Sequence, residues 1–242
     1  MKIAFVTDIH IGAEGEMPAG VDVRANFLKT LDAVRAMKPN CLVLGGDLCF
    51  DVGVREVYRW IYQQLQDLPC MWFAIPGNHD DSVMMAEEMH LTHHLTGNEL
   101  YSAVPLEGYP ALFLDSSRGA FSEAQWQWLG EELDLIHHNA LIFCHHPVLP
   151  ADTKFMDVKY PFRQQQQWIE TTEPLPCRMQ VVSGHYHCEA VVQRANTTVF
   201  ITPSTYIQLN PHSAELELVR TPPTFRELIV TPNGLTSRVL EV

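Results

Sequence analysis

The feature that most constrains this chain is a series of short apolar runs that each stop at glycine, aspartate, asparagine or histidine. Ile3–Val6 stops at Thr7-Asp8-Ile9-His10, and Cys41–Leu44 at Gly45-Gly46-Asp47. Met71–Ile75 stops at Pro76-Gly77-Asn78-His79-Asp80, Leu141–Cys144 at His145-His146-Pro147, and Met179–Val182 at Ser183-Gly184-His185-Tyr186-His187. Runs this short and this uniformly apolar read as strands buried on both faces. In sheets of that kind, reactive groups gather where the strands end.

Helical patterns separate the runs. Asp22–Met37 and Val54–Leu65 have apolar residues at helical spacing, and Ser82 is placed to cap a helix reaching about His94. Ala111–Leu114 is a further strand, and Ser122-Glu123-Ala124-Gln125 is a capping box opening a helix to about Leu135. After Ser183 helical patterns vanish. Val191–Gln193, Val199–Thr202, Glu215–Val219, Phe225–Val230 and Arg238–Val242 read as strands, with Glu215-Leu-Glu-Leu alternating as if one face were wet. The expected architecture is α/β, a single domain over residues 1–242, with two packed sheets, outer helices and a β-rich C-terminal part.

A chain of 242 residues, 46% apolar, builds a core without staples. The six cysteines contain no C-x-x-C pair and are expected to be buried free thiols. The formal charge of −13 argues against binding duplex nucleic acid or an anionic membrane. Ile3–Val6 is too short for a signal peptide and no membrane-length apolar run follows, so the chain is expected to be cytoplasmic. A homodimer is left open.

Any one cluster is weak evidence, since a lone His is more often a polar core or surface group than a ligand. Five in one chain, each after an apolar strand, point together to metal binding. In extended chain a D-x-H or H-x-H pair directs both side chains to one side, a natural pincer for a cation. Carboxylate, amide and imidazole donors suit manganese, iron or zinc.

The ordered set Asp8-x-His10, Gly46-Asp47, Gly77-Asn78-His79-Asp80, His145 and Gly184-His185-x-His187 resembles the calcineurin-like metallophosphoesterase superfamily over essentially the whole chain. The resemblance implies a four-layer αββα sandwich of two mixed β-sheets flanked by helices. It also implies two metal ions, Fe and/or Mn with Zn as the alternative. One ion would take Asp8, His10 and His187, and the other Asn78, His145 and His185, with Asp47 shared by both. A hydroxide shared by the metals would attack phosphorus, and His79 would protonate the leaving oxygen. Two divalent ions against two carboxylates and a hydroxide leave such a pocket at about +1, which resolves how so acidic a body attracts a phosphate. Asp80 is expected either to orient a neighbouring group or to act as a helix N-terminal acid.

Departures narrow the branch. Protein Ser/Thr phosphatases resemble G-D-x-x-D-R-G and G-N-H-E, whereas this chain has Gly46-Asp47-Leu48-Cys49-Phe50 and Gly77-Asn78-His79-Asp80. Purple acid phosphatases need tyrosine where Phe50 stands. The remaining features resemble class III cyclic-nucleotide phosphodiesterases: Leu114-Asp115-Ser116 before Gly119, Met156-Asp157 after His145-His146-Pro147, and Thr202-Pro203-Ser204-Thr205. Glycerophosphodiesterases share several of these. Ser82 stands where members often carry arginine, and an asparagine common after the Met-Asp segment is absent. The function expected is hydrolysis of a small phosphodiester, a 3',5'-cyclic nucleotide first. The alternatives are a broader phosphodiesterase or phosphomonoesterase and, at some distance, a non-catalytic scaffold. Pro150–Arg163 reads as a surface loop or a lid over substrate, and His90/His93/His94 as a solvated helix end rather than a third metal site.

Overall fold

A computed structural model describes residues 1–232 and 234–242. In chain order the elements are β1 Lys2–Val6, α1 Val23–Met37, β2 Cys41–Leu44, α2 Arg55–Leu65, β3 Met71–Ala74 and α3 Ser82–Glu88. Next come the short strands β4 Leu95–Thr96 and β5 Glu99–Leu100, then β6 Ser102–Leu106, β7 Tyr109–Leu114, α4 Glu123–Asp134 and β8 Asn139–Cys144. The remainder is α5 Met156–Lys159, α6 Gln165–Thr172, β9 Arg178–Ser183, β10 Ala190–Arg194, β11 Thr197–Ile201, β12 Gln208–Leu209, β13 Leu218–Val219, β14 Thr224–Thr231 and β15 Gly234–Glu241.

One sheet has the order β15-β14-β1-β2-β3 and the other β10-β11-β9-β8-β7-β6. The apolar runs of the first sheet, β1, β2 and β3, pair in parallel, as do β7, β8 and β9 in the second. Alternation along β1 divides its side chains between two cores. Ile3 and Phe5 join Val43, Phe113, Phe143 and Leu228 between the sheets. Ala4 and Val6 join Phe27, Leu31 and Ile61 on the helix side. Trp126, Leu129, Trp168 and Ile169 close the outer face of the second sheet. Helices, two mixed sheets and helices thus form the four layers expected, and the tryptophans are core, as aromatic rings of this size usually are.

Three local expectations are corrected. The helix after the third cluster is capped by Asp81, whose carboxylate accepts from Met84 N, and it ends at Glu88. Ser82 instead donates to Asp115 Oδ2 at 2.6 Å. The capping box at Ser122 is half made: Ser122 Oγ accepts from Gln125 N, but the Gln125 amide turns inward to the Asp115 backbone. Glu215–Val219 contributes only Leu218–Val219 as strand, with both residues exposed. The six cysteines are free and five are buried, as expected.

One buried polar group ties the sheets together. Arg226 on β14 is 1% exposed. Its guanidinium donates to Thr202 Oγ1 at 2.9 Å and Ile201 O at 2.7 Å beside the second sheet, and to Ser237 Oγ at 2.6 Å on β15. Burial pulls its pKa down to about 10, opposed by Glu189. Removing one side of a buried charged network leaves its partners unpaired. Arg226→Ala is expected to cost about 3 kcal/mol and lower Tm by roughly 5–10 °C. Arg238→Ala, which removes an arginine 57% exposed from its pair with Glu227, should stay within about 1 kcal/mol. Thermal melts of the two variants followed by circular dichroism measure the contrast.

Candidate metal centre

The five strand ends meet, but not in extended chain. Asp8, His10, Asp47, His185 and His187 all have left-handed backbone, with φ of 53, 46, 50, 64 and 49°. The pincer geometry expected of D-x-H and H-x-H is therefore corrected: these residues lie in turns just beyond their strands. Non-glycine residues in this region are uncommon, with Asp and His among the tolerated types. Each such conformation costs about 1–3 kcal/mol, so the surroundings must hold it. Asp8 N and His10 N donate to the carbonyls of Gly46 and Asp47 at 3.0 Å each. Ser204 Oγ donates to the Asp8 carbonyl at 2.8 Å. Two glycines make the approach possible. A Cβ at Gly184 would strike Thr7 Oγ1 and Asp8 Oδ2, and one at Gly77 would strike Asp47 Oδ1.

The convergent atoms lie close. His187 Nε2 is 3.1 Å from both Asp8 Oδ1 and His10 Nε2. His145 Nε2 is 3.3 Å from Asp47 Oδ2 and 3.9 Å from Asp8 Oδ1, and His79 Nε2 is 3.9 Å from Asp47 Oδ2. Three overlapping donor groups result: Asp8/His10/His187, His10/Asp47/His79 and Asp47/His145/His185. Asn78 lines the same cavity. Asp47 belongs to two of the groups and lies between the other members. Among the described residues, His90, His93 and His94 form no such group.

Backbone carbonyls orient four of the rings. His145 Nδ1 bonds Gly45 O at 2.8 Å, His187 Nδ1 bonds Ile207 O at 2.7 Å, and His79 Nδ1 bonds Asp51 O at 2.9 Å. His185 reverses the pattern, with Nε2 on Tyr160 O at 2.9 Å. A carbonyl accepts only from N–H, so in each neutral ring the other nitrogen carries the lone pair. Metal-binding histidines are held in this way. Two further observations fit a cation. His145 Nε2 is buried and makes no hydrogen bond although Asp47 lies beside it. His10 Nδ1 is likewise buried without a partner, while its Nε2 lies 3.1 Å from His187 Nε2.

Protons balance the charges when no cation does. Burial opposes ionisation of Asp8, but His187 and His145 outweigh it and hold the carboxyl at about 2. Asp47 is pushed well below its ordinary value against burial, chiefly by His145. Burial also disfavours charge on His145, yet Asp47 and Asp8 raise it to about 9. Burial depresses His10 and His185 to about 4.

Other expected participants stand outside the cluster. Asp80 accepts from Gly77 N at 2.9 Å, Leu48 N at 3.1 Å, Cys49 N at 3.2 Å and Tyr58 OH at 3.1 Å. It is neither a helix cap nor a partner of a clustered histidine; it ties the Asp47 turn to the Asn78 turn, and burial raises it to about 6. His146 is buried, bonds Ser116 Oγ at 2.9 Å and packs its ring 4.1 Å from that of His185. Pro150–Arg163 contributes Phe155, Met156 and Tyr160 to the cavity lining. Asp157 accepts from Ala151 N, Thr153 N and, at 2.7 Å, the hydroxyl of Tyr186, the residue between His185 and His187. Sequence patterns mark neither Tyr160 nor Ile207, because both act through backbone carbonyls that any residue carries.

The sequence profile of the calcineurin-like phosphoesterase family matches residues 1–189. The chain is 31% identical over 239 residues to a probable cyclic nucleotide phosphodiesterase of Fibrobacter succinogenes, covering 99% of this chain and 93% of that one. It is 25% identical over 221 residues to the glycerophosphodiester phosphodiesterase GpdQ of Enterobacter lignolyticus, covering 86% and 79%. Its fold resembles a dimetal phosphatase from Danio rerio, with a TM-score of 0.73, 13% identity and 99% and 95% of the two chains covered. The chain belongs to the calcineurin-like phosphoesterase family.

Two outcomes test the cluster. Cation uptake must displace the proton of His145, so at pH 7 manganese binding releases protons, and its affinity rises toward about pH 9. Calorimetric titrations in buffers of different ionisation enthalpy measure both, and an affinity flat across that range contradicts the arrangement. Tyr186→Phe frees the turn from Asp157 and is expected to weaken manganese binding by roughly 10-fold or more, the effect typical of lost outer support.

Proposed function

We propose that this calcineurin-like phosphoesterase hydrolyses a small phosphodiester, a 3',5'-cyclic nucleotide first, at a dinuclear metal site. The observation that carries the reading is a carboxylate, Asp47, shared by the donor groups His10/Asp47/His79 and Asp47/His145/His185 beside a cavity of about 440 Å³. Asp8, His10 and His187 would hold one cation, and Asn78, His145 and His185 the other. When bound, two divalent cations supply Lewis acidity toward the phosphoryl oxygens and an ionised water for in-line displacement.

The chain's own residues do the rest. Asp8 and Asp47 bring fixed negative charge that favours cations over protons. His79 N donates to Asp47 Oδ1 at 2.9 Å, which holds the histidine beside the shared carboxylate. With Nδ1 on the Asp51 carbonyl, a proton on Nε2 of His79 is directed to the cavity, where it can pass to the departing oxygen. His79 is 32% exposed, so its ring is open to solvent. Asp80 acts at one remove, by fixing the two turns that carry Asp47 and Asn78.

A broader phosphodiesterase is the second reading, favoured by the similarity to GpdQ and by Ser82. That hydroxyl is spent on Asp115 and does not line the cavity, so it supplies nothing in place of the cationic side chain frequent there.

A manganese-supplemented panel of cyclic AMP, glycerophosphocholine, a bis-nitrophenyl phosphate and a mono-nitrophenyl phosphate separates the readings. Cyclic AMP should be the preferred substrate. Activity confined to the monoester sinks the diesterase reading, and preference for glycerophosphocholine selects the second. Asp47→Asn should lower turnover of every substrate by roughly 100-fold or more. His79→Ala should cost roughly 100-fold or more on cyclic AMP but little on the nitrophenyl diester, whose leaving group needs no acid. Equal losses on both would remove the acid role from His79.

A further inference from the structure

The cavity in front of the cluster has a second lining unlike the first. Besides the metal-site residues it is formed by Phe50, Phe155, Tyr206, Leu216 and Leu218. The two leucines are 60% and 50% exposed. They belong to the Glu215-Leu-Glu-Leu alternation that predicts a strand with one buried face. Among the described residues no sheet covers that face; the leucines line the cavity instead. Large apolar groups left in water around a concave site mark a surface that a ligand covers.

The position of these leucines relative to the metal residues is set by backbone. Leu218 and Leu209 pair across the β12–β13 hairpin, and Asn210 N donates to Glu217 O at 3.0 Å. The base of the hairpin is bonded to His187 twice: Leu209 N donates to His187 O at 2.9 Å, and His187 Nδ1 bonds Ile207 O at 2.7 Å. Tyr206 continues the apolar lining to the cluster, with its ring 5.2 Å from His10 and 6.0 Å from Phe50. A group held between the leucines and these rings would therefore sit at a fixed offset from a phosphate on the metals.

The lining also selects the chemistry of that group. Outside the metal cluster no charged side chain contributes to it among the described residues, so a cationic head group would find no ion pair there, only the aromatic faces that a flat ring also uses. A flat, uncharged ring gains from aromatic and branched aliphatic neighbours alike. The volume of about 440 Å³ falls within the roughly 300–1000 Å³ of small-molecule sites.

We propose that the Leu216/Leu218 hairpin clamps the aromatic base of a nucleotide whose phosphate lies on the metals, and that it sets the preference for nucleotides over other phosphate esters. This rests on the phosphoesterase reading of the same site and adds the residues that choose the substrate.

The test is direct binding to the manganese-loaded full chain, by calorimetry, of adenosine 5'-monophosphate and of ribose 5-phosphate, which lacks only the base. The nucleotide should bind about tenfold tighter or more, as stacking on such a lining supports. In the double variant Leu216→Asn/Leu218→Asn the ratio should fall to about twofold or less, with ribose 5-phosphate affinity unchanged. Equal affinities in the unaltered chain overturn the clamp, as does a ratio that survives the double substitution. Parallel weakening of both ligands also overturns it, since the hairpin would then act on His187. Glycerophosphocholine competing as well as the nucleotide overturns the choice of ring. If cyclic AMP is not turned over but the nucleotide preference holds, the cyclic diester reading fails and the clamp stands. Turnover of cyclic AMP with equal affinities removes the clamp alone.

Discussion

Two buried carboxylates govern this molecule. Asp8 and Asp47 are 0% and 2% exposed, and an isolated charge in such a position is costly. Neither can be retained unless positive charge comes to meet it. Histidines from the turns after β8 and β9 supply it while the site holds protons, and cations would supply it otherwise. Both strands belong to the second sheet, whereas both carboxylates belong to the first. The ionic cluster is therefore also a joint between the sheets, with Arg226 as another such joint.

The same constraint explains the cost accepted in the backbone. Five residues of the cluster have left-handed φ, a conformation the chain avoids without support. Support comes from main-chain bonds between adjacent turns, from Asp80 gathering the turns after β2 and β3, and from Ser204 holding the carbonyl of Asp8. Rings fixed by the carbonyls of Gly45, Asp51, Ile207 and Tyr160 then present single nitrogens inward. The site is preorganised by groups that carry no chemistry of their own, which is what precise placement of reactive groups requires.

Much of this was legible beforehand. The apolar runs became strands nearly residue for residue; β1, β2 and β8 are buried on both faces as expected, whereas β3, at the edge of its sheet, leaves Met71 exposed. Asp8, His10, Asp47, Asn78, His79, His145, His185 and His187 stand out as candidates because each lies within a few residues of the end of such a run. Ser82 and Asp81 are both good caps, and only the turn geometry decides between them. Gln125 fitted a capping box until a buried backbone at Asp115 offered it two partners. Leu216 and Leu218 alternated like a strand, and nothing local to them reveals that no second layer is there to receive them.

Side-chain type and spacing therefore determine which residues offer donor atoms for a cation and which segments are apolar enough to be buried. The tertiary structure decided which nitrogen each ring presents, that Asp80 accepts from backbone N–H groups of two turns, and that the Tyr160 carbonyl meets His185. It also decided where the apolar hairpin stands relative to the metal residues. These depend on carbonyls, hydroxyls and open space contributed by segments distant in sequence, and a backbone carbonyl looks the same at every position of the chain until folding aims it.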